Sequence, residues 1–152
     1  MVAPKAKTAE ELINDIKTVH AKGMNDESVN GQFRLAMEFY TKFPEHKDCG
    51  KVLFDAAANV ANYAGADMNK PKKGFSRKAI DLADILIDNF PEHDFLQRIY
   101  ELKAFELDHN LKLDDQATEL YKEMIEKFSA DTANVEIYQH RIDHIAEPPF
   151  SI

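Results

Sequence analysis

An all-α fold, with helices laid side by side in pairs, is what this sequence predicts, and three observations predict it. Nearly the same string occurs twice, "KFPEHKD" at 42–48 and "NFPEHDF" at 89–95, with a weaker echo, "KFSADTA", at 127–133. Apolar residues recur at helical spacing along almost the whole chain. Only 5 Gly and 6 Pro punctuate 152 residues, too few for the tight turns of a many-stranded fold. With 44% hydrophobic and 30% charged residues, the chain is long enough to bury the core of one domain.

Thr8 and Glu11 form a capping box, because hydroxyl and carboxylate each satisfy the other's orphan backbone donor. Leu12, Ile16 and Val19 mark one face of the first helix, which runs to about Gly23. After the polar stretch "NDESVNG", Phe33, Ala36, Met37 and Tyr40 mark the second. Phe43-Pro44 ends it, since the residue before proline is driven out of helical geometry. The third helix spans about Lys47 to Tyr63, with Val52, Ala56, Val60 and Tyr63 on its face and small Ala57, Ala58 and Ala61 beside them. "KVLF" is the best strand candidate, yet it runs straight into this alanine-rich helix.

"AGADMNKPKKGFS" reads as a loop broken by Gly65, Pro71 and Gly74. Ala79, Leu82, Ala83, Leu86 and Ile87 carry the fourth helix to its stop at Phe90-Pro91. The fifth starts near Asp94, shows Phe95, Ile99, Leu102 and Phe105, and breaks at "DHNLKLDD", where Asp114 is expected to cap the sixth. Ala117, Leu120, Tyr121, Met124 and Ile125 mark that helix. Val135, Tyr138, Ile142 and Ile145 mark a seventh, ending before Pro148-Pro149. The domain plan is a tether over 1–7, one helical domain over 8–147 and a tail over 148–152.

Several function classes fit poorly. The net charge of −8 falls wholly in residues 92–152, because acids and bases balance over 1–91. Nucleic acid and anionic membrane surfaces want clustered Lys and Arg, so neither is an expected partner. No apolar run reaches a membrane span, and "MVAPKAKTAEEL" has no apolar signal core. Cys49 is alone, so no intramolecular disulfide or multi-cysteine zinc site can form, and it reads as a buried, inert thiol. No phosphate-cradling glycine motif and no GxSxG occurs. Asp81, Asp84 and Asp88 read as a solvated helix face, and Lys70 to Gly74 as a solvated connection. His140 and His144, four apart, have the spacing of a metal-chelating pair but lack further ligands in sequence. The aromatic residues are core first, with some free to line a groove.

Counting back from the recurrent strings exposes a longer pattern. Ala79, Ala83 and Pro91 share their spacing with Ala117, Tyr121 and Ser129, and with Gln32, Ala36 and Pro44. "AIDLADILIDNFP" and "ATELYKEMIEKFS" resemble second helices of tetratricopeptide repeats, and 100–128 resembles nearly a whole repeat. The resemblance covers about 29–146, and the spacing between copies exceeds the ~34 residues of the standard unit. The "FPEH" ending is similar in style to repeats of bacterial cell-envelope proteins, including outer-membrane-assembly lipoproteins.

That resemblance implies a tetratricopeptide-like right-handed solenoid of antiparallel helix pairs. It implies a non-catalytic scaffold that holds a peptide or partner protein in a concave groove, without cofactor. Asn59, Asn62 and Tyr63 of the third helix and Arg98 and Lys103 of the fifth are the implied groove residues. It also implies a periplasmic or envelope-associated home, with the cytoplasm as the alternative. Two other readings stay open: a helical metal- or ligand-binding protein using His140 and His144, and a structural homo-oligomerisation unit.

Overall fold

The computed structural model describes residues 5–145. The expected tail over 148–152 and residues 1–4 of the expected tether lie outside that range. Seven α-helices follow one another: α1 (Ala9–His20), α2 (Asp26–Lys42), α3 (Cys49–Ala64), α4 (Lys73–Asn89), α5 (Leu96–Phe105), α6 (Asp114–Lys127) and α7 (Thr132–Asp143). A π-helical turn, Glu106–Asn110, extends α5. No strand occurs among the described residues, and "KVLF" is helical.

Consecutive helices pack on one another throughout, and α5 also reaches back to α3. The core divides accordingly. Phe39, Leu53, Val60, Leu82 and Leu86 centre one cluster over α1 to α4, and Tyr100, Ala117, Tyr121, Met124 and Tyr138 centre another over α5 to α7. Ala36, Ala56, Ala57, Ala79 and Ala83 are almost fully buried, so small residues stand where helices come closest. Each large aliphatic side chain enclosed in this way contributes about 1.5–3 kcal/mol.

The recurrent strings take one conformation. Phe43 and Phe90 end α2 and α4 with φ/ψ of −132°/51° and −131°/53°, and Phe128 ends α6 at −114°/34°. Each donates its N–H to the carbonyl four residues back, at 2.7, 2.8 and 2.8 Å. Three residues on, His46, His93 and Asp131 donate N–H to the carbonyls of Phe43, Phe90 and Phe128. The side chains of these three then act alike. His46 Nδ1 accepts from the Asp48 N–H, His93 Nδ1 from the Phe95 N–H, and Asp131 Oδ1 from the Asn134 N–H. A connector that ends one helix therefore also supplies an acceptor to the start of the next, where backbone donors lack partners.

Gly50 brings the first and second connectors together. A Cβ there would stand 2.8 Å from the His93 ring, so glycine lets the second connector lie against the start of α3.

The capping box of Thr8 and Glu11 is formed as expected, with both hydrogen bonds present. Elsewhere the boundaries shift. Helix α3 begins at Cys49 and α5 at Leu96, because the connectors occupy the residues before them. Asp114 does not cap α6: it is the first helical residue, and Leu113, at the cap position, makes no side-chain cap bond. Asp114 and Asp115 instead place negative charge in the first turn, where the helix dipole favours it. The break expected at "DHNLKLDD" is delayed: the Leu111 N–H bonds the Glu106 carbonyl, continuing the helix as a wider turn. Lys112, at φ 53°, then turns the chain.

A buried ion pair holds α7. Arg141 Nε and Nη2 each donate to Asp108, at 2.8 Å, and Tyr121 Oη donates to the same carboxylate at 2.9 Å. Tyr138 adds a bond to Glu101, and Gln97 links Tyr138 to Asp131. Removing one partner leaves the other charge uncompensated. Arg141→Ala should therefore lower stability by about 3–5 kcal/mol, with amide exchange in α7 accelerating before that in α1 to α4. Leu53→Ala, in the other cluster, should cost about 2–5 kcal/mol in urea unfolding.

Candidate binding groove

Helices α3 and α5 lie beside each other with α4 packed on both, and the channel between them is a mainly apolar concavity carrying two of the expected site residues. Its volume is about 410 Å³. From α3 come Phe54, Ala58, Ala61 and Asn62. From α5 come Arg98, Glu101, Leu102 and Phe105, and the π-helical turn adds Glu106. The alanines keep the α3 wall low, which is why the channel is open here.

Two further cavities along α3 each share a lining residue with this one. Phe54 is shared with a cavity of about 510 Å³ beside the second connector, which His93 and Phe95 also line. Phe54 and Phe95 stack at 5.2 Å between centroids. Ala58 is shared with a cavity of about 330 Å³ against α1. Phe105 in the channel and Phe95 in the cavity beside the second connector are 47% and 48% exposed, so each keeps about half its surface in water.

The five groove residues implied by the sequence separate into two groups. Asn62 and Arg98 are exposed and line the α3/α5 groove together. The other three are engaged elsewhere. Asn59 donates to Gln32 Oε1 at 3.0 Å and lines the cavity against α1. Tyr63 donates to Asp26, packs edge-on against Phe75 at 5.0 Å and lies under the Lys72 ammonium. Lys103 pairs with Asp84 at 2.6 Å, across α4 and α5.

Glu106 is the groove residue that helical spacing placed nowhere. It is 1% exposed. Its Oε2 accepts from Asn110 Nδ2 at 2.8 Å, while Oε1 has no hydrogen-bond partner among the described residues. Ser76 Oγ on α4 approaches the carboxyl but makes no bond of acceptable geometry and is itself unpartnered. Burial pushes the Glu106 carboxyl up to about 7, against the weaker opposing effects of Asn110 and Ser76. The one signal in the sequence is its position seven residues after Ile99, on the stripe that faces inward.

The remaining candidates have plainer surroundings. Cys49 is buried, and burial pushes its thiol up to about 11. Asp81 and Asp88 are exposed. The His140 and His144 rings lie 4.4 Å apart, and among the described residues no group of three or more His, Cys, Asp or Glu is placed to hold a metal ion. No described helix is long and apolar enough to cross a membrane.

No family model, curated protein or solved structure compared with the chain matches it significantly.

A raised carboxyl makes stability depend on pH with a definite sign. Between the ordinary glutamate range and about pH 7, folded Glu106 keeps a proton that the unfolded chain has lost, so stability falls as pH rises. Wild type should lose on the order of 3 kcal/mol between pH 4.5 and pH 8 relative to Glu106→Gln, read as urea midpoints of both proteins across that range.

Proposed function

We propose that the chain is a non-catalytic interaction module that holds a peptide or partner helix in the α3/α5 groove. The observation that carries this is half-exposed Phe105 in a concave and mainly apolar channel, with half-exposed Phe95 in the cavity that shares Phe54 with it. Aromatic anchors in a groove with a few polar groups at its edge are how helices and extended segments are commonly captured. Arg98, Glu101 and Asn62 supply that edge. Contacts between consecutive helices, and three connectors of one shape, support a tetratricopeptide-like right-handed solenoid as the frame, with α3 and α5 as first helices of successive units.

The test compares proteins captured by wild type with those captured by Phe95→Ser/Phe105→Ser. A partner retained by wild type and by Ile137→Ser, an exposed apolar site on α7, should be lost from the groove variant. Equal capture by all three would overturn the groove as the binding surface.

A further inference from the structure

Glu106 Oε1, in the wall of the groove, is buried without a hydrogen bond of acceptable geometry, and Ser76 Oγ beside it is unpartnered too. We propose that the α3/α5 groove recognises a lysine side chain of its partner, with the methylene stem across Phe54, Leu102 and Phe105 and the ammonium group bonded to Glu106 Oε1. This deepens the groove reading and rests on it. Three observations converge on that chemistry. A carboxyl oxygen enclosed by protein with no partner is costly, and a ligand donor that reaches it removes the cost. Phe54, Leu102 and Phe105 give the stem an apolar path, and the phenyl faces attract a cation besides. The net charge of −8 lies wholly in residues 92–152, which include α5 and the π-helical turn, so long-range attraction favours a basic partner over an acidic one.

Lysine fits better than arginine. A guanidinium spans both oxygens of a carboxylate with its planar fork, and here Asn110 holds Oε2. An ammonium is a compact donor that needs one oxygen.

The pairing has a proton signature. Glu106 titrates near 7, and a bound ammonium favours its charged form, so binding expels a proton. Affinity should rise with pH through 7. The groups bearing directly on the carboxyl are uncharged: Asn110 of the π-helical turn and Ser76 of α4. The charged groups of the groove are Arg98 and Glu101 of α5, and α3 contributes Asn62. Tyr121 of α6 faces Asp108 instead. His93 borders the adjoining cavity, so a Glu106 variant is needed to assign the effect.

The experiment titrates the full chain with n-butylammonium, a lysine side-chain analogue, and with butan-1-ol, its neutral counterpart, following backbone amides by NMR at pH 6 and pH 8. The amides of Asn62, Phe105 and Glu106 should move with n-butylammonium, with about tenfold tighter binding at pH 8. Glu106→Gln should abolish that pH dependence. Groove binding of butan-1-ol with weaker or pH-independent binding of n-butylammonium would overturn the lysine assignment and leave the groove standing. Unmoved groove amides with both probes would overturn groove and lysine together. An n-butylammonium response unchanged in Glu106→Gln would also sink the assignment. Should that variant fail to fold, the wild-type pH dependence and the alcohol comparison decide alone.

Discussion

The constraint on which the rest of the molecule depends is the turn that follows each Phe at the end of α2, α4 and α6. Phe43, Phe90 and Phe128 close their helices in nearly the same backbone conformation, and the residue three places on accepts a bond from the start of the next helix. Ending one helix and starting another are thereby one event. The direction of α3, α5 and α7 follows from these connectors, and the groove between α3 and α5 follows from that direction. Phe packing adds to the hydrogen bonds: Phe90 lies edge-on to Tyr40 and Phe128 to Tyr100, so the second and third connectors are also tied to an earlier helix.

Much of this was legible in the sequence because it depends on local chemistry. Thr8 and Glu11 announce their cap, Phe-Pro announces a helix end, and buried alanines announce close helix approach. The seven helices and their apolar faces could be read from these signals. What could not be read depends on side chains meeting across the chain. Asn59 looked available until Gln32, from another helix, took it, and Tyr63 was claimed by Asp26 in the same way. Periodicity marks which face of a helix is polar; it does not say whether a polar group there faces water or a neighbour. Asn62 and Arg98 are both exposed and line the groove.

The π-helical turn escaped for a different reason. Residues 106–110 keep helical composition, so nothing local separates a π turn from an α turn. The wider turn appears where the chain must satisfy Glu106 and Asp108 at once. Glu106 is held by Asn110 and buried behind the groove, while Asp108 is pinned by Tyr121 and Arg141 on the far side. Two acids two residues apart on a helix face roughly opposite ways, and here each direction has its own use: one organises α7, the other borders the groove. A carboxyl enclosed without a full set of partners is poorly matched to stability alone, which makes Glu106 the residue most worth following.

The contact between Gly50 and His93 has a counterpart between the next two helices. Gly50 is the second residue of α3, and Gln97 holds the corresponding place in α5. Gly50 meets the ring of His93, the fourth residue of the second "FPEH"-type string; Gln97 meets Asp131, the fourth residue of the third string, at 3.0 Å. Equivalent positions thus meet with different chemistry, flat ring on bare backbone at one seam and amide on carboxylate at the other, so a change at one position of a seam bears on its partner.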